Sequence, residues 1–209
     1  SNERRVMHEV AASIDARTNK LWLYFGTGDQ QNLANENSSI ANKFYGIKDT
    51  DFPNYDATLV SATETTCLNT TNLTINCIIG LQQNGWYYNL EANEKVTSKP
   101  TIFNRNVYVS KYTPNATNPC APGTAAQAAY KYNSGCRSRD DVNLGSGVAT
   151  AATFYQGKMY LGLSGASSSD NTLDGNSDFN LFDSIIVGTP VGGSNTSNHP
   201  QIKAWRELK

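Results

Sequence analysis

The sequence predicts an all-β chain built as a partial β-propeller, an arc of about three to four antiparallel blades. Three observations predict it. One strand–turn–strand grammar is written three times along the 209 residues. Each occurrence is followed, after a loop of variable length, by a further short strand candidate. Asn, Thr, Ser, Gly and Tyr dominate the composition, which favours short strands and turns over long helices.

The first hairpin is Val10–Ile14, a polar turn from Asp15 to Asn19, then Lys20–Phe25 and Gly26-Thr27-Gly28. The second runs Thr97–Phe103, turns at Asn104-Arg105 and returns as Asn106–Tyr112. The third runs Gly147–Tyr155, turns at Gln156-Gly157 and returns as Lys158–Leu163. Each has a small-residue strand, a tight turn and a second strand of alternating aromatic or aliphatic character, a hairpin signature. The added strands are Lys43–Ile47, Ala128–Tyr132 and Ser184–Val187, with Gly85–Leu90 as a fourth strand ahead of the second unit. Four-stranded antiparallel units repeated with insertions read as blades.

Closed propellers typically take about 4–8 blades, so the whole chain, 1–209, reads as one all-β region of a larger propeller. A sandwich of the same strands is the alternative architecture. Residues 49–84 and 114–137 read as loop insertions, natural places for recognition. Each carries one local cysteine pair, Cys67 with Cys77 and Cys120 with Cys136. Four cysteines allow three pairings and sequence alone does not choose, although local pairing is the simplest. Zinc competes poorly, because no Cys-x-x-Cys occurs and His8 and His199 sit near opposite ends. Disulfides place the chain in an oxidising, extracytoplasmic compartment.

A net charge of −1 and 17% charged residues leave no basic footprint for nucleic acid. No apolar run approaches the roughly 20 residues that span a bilayer.

The ordered motifs resemble one family. Leu21–Gly28 with its Gly-Thr-Gly, then Lys43–Asp49, Gly85–Leu90, Glu94-Lys95-Val96, Pro100 and Tyr112-Thr113-Pro114 follow its pattern in order. Pro119–Gly123, Tyr130–Gly135 and a closing Trp205–Leu208 continue it. The set resembles the PilY family of type IV pilus proteins. The resemblance implies a quinoprotein-like propeller at the bacterial cell surface or pilus tip, with residues 1–209 as its C-terminal segment. It also implies a part in pilus assembly and adhesion, with minor pilins or the tip complex, and a host or abiotic surface, as partners.

One acidic loop suits calcium. Asp170, Thr172, Asp174, Asn176 and Asp178 alternate, with Gly175 where such a loop turns sharply. Hard Ca²⁺ takes six to eight oxygens of this kind. The family carries a short calcium loop of nearly this form, from which Thr172 departs. The bland reading is a solvated turn.

Catalysis finds little support. No Gly-x-Ser-x-Gly elbow appears, and Asp140-Asp141 reads as a solvated pair. Trp86-Tyr87-Tyr88 reads as a strand with alternate residues in the core rather than a sugar-stacking platform. The expectation is therefore a non-enzymatic module without a quinone. A fragment of a secreted quinoprotein-like dehydrogenase and an unrelated carbohydrate-binding sandwich are the competing functions.

Overall fold

The computed structural model describes residues 4–34, 40–53, 67–73, 84–118, 120–165, 179–182 and 184–192. Their strands form three sheets, in chain order. The first takes β1 (Ala11–Asp15), β2 (Lys20–Gly26), β3 (Lys43–Asp49), β4 (Leu68–Asn69) and β5 (Gly85–Asn89) in the order β1-β2-β3-β5-β4. All its pairs are antiparallel except β4 with β5. The second holds β6 (Lys95–Val96), β7 (Thr101–Phe103), β8 (Asn106–Thr113), β9 (Thr124–Lys131) and β10 (Val142–Ser146). Its order is β10-β9-β8, with β6 and β7 sharing the far edge of β8. The third repeats that plan. Here β11 (Val148–Ala149) and β12 (Thr153–Tyr155) share one edge of β13 (Lys158–Ser164), followed by β15 (Ile185–Gly188) and β14 (Phe179–Phe182).

The three hairpins stand where their turns place them. Asn104 and Arg105 have φ of 47° and 60°, and Gln156 and Gly157 have 47° and 73°. Two successive left-handed residues match the right-handed twist of the flanking strands. The first strands of hairpins two and three are nevertheless broken, at 97–100 and 150–152. A hydroxyl takes over from the ladder at each break. Ser98 Oγ accepts from the Ser110 amide at 2.9 Å, and Thr150 Oγ1 from the Gly162 amide at 2.9 Å. Thr27 does the same where β2 leaves β3, accepting from the Lys43 amide at 2.9 Å. Side-chain hydroxyls substitute for carbonyls in this way and let a strand bend without an orphaned donor.

The sheets pack in series through two cores. Trp22, Tyr24, Phe44, Trp86 and Tyr88 of the first sheet meet Val107, Val109, Ala128 and Tyr130 of the second. The opposite side of the second sheet supplies Tyr108, Ala125 and Ala129, which meet Met159, Leu161, Leu163 and Ile186 of the third. The second sheet is thus covered on both faces, and every β8 residue but Thr113 is buried. None of the three sheets closes on itself.

Three expectations are corrected. Strand β5 belongs to the first sheet, pairing with β3, so the stretch 49–84 is an insertion within that sheet. Strand β9 runs through the middle of 114–137, which is therefore not one loop. The expected Cys120–Cys136 bridge does not form. Cys120 is exposed and free, whereas Cys136 is buried and disulfide-bonded. The cysteines lie beyond opposite ends of β9, and an eight-residue strand spans roughly 25 Å, several times what a disulfide bridges. The four-cysteine count leaves the first pair, Cys67 and Cys77, to supply the partner of Cys136. Cys77 lies outside the described residues.

Candidate functional site

Alternation along β8 puts Val107, Val109 and Lys111 on one face, toward the first sheet. The two valines join its core. Lys111 carries a charge into the same layer, with its side chain 2% exposed. Its Nζ lies 2.7 Å from Glu94 Oε1 and 2.5 Å from Asp141 Oδ2. Glu94 closes a tight turn, its backbone N–H donating to the Glu91 carbonyl and its carboxylate accepting from the Glu91 amide, both at 3.1 Å. Asp141 immediately precedes β10, and Arg137 Nη2 stands 3.4 Å from its Oδ1. The Tyr88 ring centroid is 6.0 Å from Lys111 Nζ. Tyr130, fully buried, has a hydroxyl with no hydrogen-bond partner.

The electrostatics follow from this enclosure. Burial alone pulls the Lys111 ammonium down, but Asp141 and then Glu94 outweigh it and hold the group above the ordinary lysine value. Arg137 is likewise raised, with burial opposed by Asp141. Burial pushes the Tyr130 phenol well up, and the charges of Asp141 and Glu94 add to it. Two cations thus face Glu94 and Asp141, with the exposed Asp140 also 3.4 Å from Arg137, and this pairing avoids the full penalty of isolated buried charge. Chemically, the site holds one amine against two carboxyl groups beside an arginine, with aromatic walls.

Around this cluster the seam between first and second sheets is closed by specific contacts. A Cβ on Gly26 would fall within 3.0 Å of Val96, and one on Gly28 within 3.0 Å of Lys95, so the Gly-Thr-Gly run exists to let β6 approach. Asn42 Nδ2 donates to the Glu94 carbonyl at 2.9 Å, and the Val96 amide donates to the Thr27 carbonyl at 3.1 Å. Trp86 sits between Gly46 and Gly135, and its Nε1 donates to the Tyr132 carbonyl at 3.1 Å. Tyr132 in turn donates its hydroxyl to Asp15 Oδ1 at 2.7 Å.

The outer face of the first sheet is different. Phe25 stacks on Tyr45 at 5.1 Å, Tyr45 meets Tyr87 at 6.2 Å, and Lys43 Nζ stands 4.4 Å over the Tyr87 ring. These rings are only half-buried. Val10 and Ile14 beside them are 48% and 55% exposed. Trp86 and Tyr88 therefore point into the core while Tyr87 points out, as the alternation predicts.

Sequence reading missed the buried cluster. It took Asp140-Asp141 as solvated, which holds for Asp140, 83% exposed, but not for Asp141, 24% exposed and bonded to Lys111. The signal available was a lysine at a core-facing position of a strand, two residues after Val109. The candidate calcium residues Asp170, Thr172, Asp174, Asn176 and Asp178 lie outside the described residues. Among the described residues no group of three or more His, Cys, Asp or Glu is arranged to hold a metal, and no helix is long and apolar enough to cross a membrane.

The three-sheet arrangement is similar to the C-terminal domain of PilY1 from Pseudomonas aeruginosa, with a TM-score of 0.59 at 14% identity. That likeness is one of fold. It covers 90% of this chain and 45% of the PilY1 domain, so the chain spans less than half of that domain. No protein-family model matches the chain, and no curated protein matches it in sequence.

Proposed function

We propose that this chain is a non-enzymatic binding and assembly module of a type IV pilus system, one arc of a β-propeller acting outside the cytoplasm. The observation that carries the reading is the shared fold with the PilY1 C-terminal domain over 90% of the chain. The ordered PilY-like motifs point the same way, and one of them now has a physical role. The Gly-Thr-Gly run is where one sheet docks on the next.

An arc also accounts for the outer face of the first sheet. A half-buried aromatic row beside exposed Val10 and Ile14 suits a face on which a further blade packs. Minor pilins or the tip complex are the partners this reading assigns, through loops at the blade edges. Calcium at Asp170, Thr172, Asp174, Asn176 and Asp178 is a subsidiary proposal.

Two experiments test it. Deleting the encoding gene in its own bacterium should abolish or sharply reduce surface pili and twitching, with recovery on complementation. Unchanged piliation would overturn the reading. The purified chain should also melt at a lower temperature in EDTA, and D174A should erase that difference; coincident melting curves for the parent chain would remove the calcium proposal.

A further inference from the structure

We propose that Lys111 and Asp141 condense to an intramolecular amide, a covalent tie between β8 and the head of β10, with Glu94 as the proton shuttle. The three groups come from β8 and from the residues just ahead of β6 and β10, and meet at hydrogen-bonding distance. Lys111 Nζ is 2.5 Å from Asp141 Oδ2 and 2.7 Å from Glu94 Oε1. Enclosure holds the amine against this carboxylate in one arrangement, and well-oriented intramolecular pairs reach effective molarities on the order of 10⁵–10⁸ M.

The step balances without any co-reactant. Glu94 takes a proton from the Lys111 ammonium, and the freed amine attacks Cγ of Asp141. The new N–C bond forms, the Cγ–Oδ2 bond breaks, and the protons released from nitrogen leave with Oδ2 as water. Ammonium plus carboxylate becomes amide plus water, and the net charge of the cluster does not change. Arg137, 3.4 Å from Oδ1, faces the oxygen on which negative charge develops in the tetrahedral intermediate. Glu94 and Arg137 remain behind as a balanced pair.

The surroundings favour the product. A buried ion pair retains a desolvation cost that a neutral amide does not carry. The hydroxyl of Tyr130 is buried without a hydrogen-bond partner, and its ring centroid stands 5.1 Å from that of Tyr88. Tyr88 walls the other side. The ammonium is the resting form of Lys111, held there by Asp141 and Glu94. The shuttle is therefore needed, and the alternative state is a permanent ion pair.

Mass spectrometry of the folded full chain separates the two. The chain should weigh 18 Da less than its sequence and disulfides require. A succinimide at Asp174-Gly175 removes the same mass, so peptide mapping decides. Trypsin should fail to cut after Lys111 and should yield a branched peptide joining residues 106–131 to 140–158. E94Q, an isosteric change checked for fold by circular dichroism, should lose the branch at least about tenfold. Linear peptides with cleavage after Lys111 in the folded parent chain overturn the amide. An undiminished branch in folded E94Q overturns the role of Glu94.

Discussion

The two seams of this molecule are built from different materials. The first-to-second seam is aromatic, with Trp22, Tyr24, Phe44, Trp86, Tyr88 and Tyr130 in one layer. Trp86 touches Tyr24, Phe44 and Tyr130 at centroid distances of 6.2, 5.6 and 5.8 Å. The second-to-third seam is mainly aliphatic and small, with Ala125, Ala129, Ala149 and Ala152 facing leucines, Met159 and Ile186, and with rings from Tyr108 and the partly buried Phe103 and Phe154 alone. Large rings span a wide gap and bring polar atoms that need partners. Alanines let two sheets approach closely and bring none. The aromatic seam accordingly carries the indole-to-Tyr132 bond, the Tyr132–Asp15 bond and the Lys111 cluster. The aliphatic seam has polar ties of its own. There Ser110 donates to the Thr150 carbonyl at 2.7 Å, and Arg139 bonds both Gln127 and the Thr189 carbonyl.

The contrast makes ordered predictions. Trp86→Ala should destabilise most, by about 3–5 kcal/mol, because it empties the centre of the aromatic layer and removes the indole donor. Leu161→Ala, its counterpart in the other seam, should cost about 2–4 kcal/mol. Equal losses in urea unfolding would show that the seams share load evenly. Gly135→Ala should cost about 1–3 kcal/mol, since a Cβ there overlaps the Trp86 ring and the residue stands at φ +69°. Combining Gly135→Ala with Trp86→Leu should recover part of that loss; strict additivity would mean the clash is not with the indole.

The smallest effect belongs to the Tyr132–Asp15 bond. Burial pushes the Asp15 carboxyl up, but bonds from the Tyr132 hydroxyl and the Arg17 amide outweigh it and hold its pKa below the usual carboxylate value. Its contribution is therefore present above about pH 4 and fades as pH falls through the folded value. Burial, then the bond to Asp15, raises Tyr132 to about 12. That contribution is complete below about pH 10 and is lost as pH climbs through 12. Tyr132→Phe should cost about 1 kcal/mol at neutral pH and flatten both limbs of the stability profile. Unchanged limbs would place the titrating groups elsewhere.

Local chemistry made much of the fold legible. The hairpins could be read because a two-residue turn with left-handed φ sets register by itself, and because Trp86 and Tyr88 alternate with Tyr87. The breaks at 97–100 and 150–152 were harder, since a Ser or Thr hydroxyl standing in for a carbonyl looks like any other strand residue. Strand β5 reads as standing ahead of the second unit, not in the first sheet, because its partner, β3, lies beyond a long insertion. Lys111 was invisible as a site because lysine on a strand ordinarily marks a solvated face. Its burial depends on a second sheet covering that face.

By itself the sequence determined where the second and third hairpins turn, the long strand after each turn and which of its side chains share a face, because turn chemistry and two-residue alternation act over a few residues. The tertiary structure alone decided that the second sheet is buried on both sides and that Lys111, Glu94 and Asp141 meet. It also decided that Cys136 does not bond to Cys120. Those outcomes depend on which faces stack and which distant loops return, and contacts of that range leave no periodic trace in the chain.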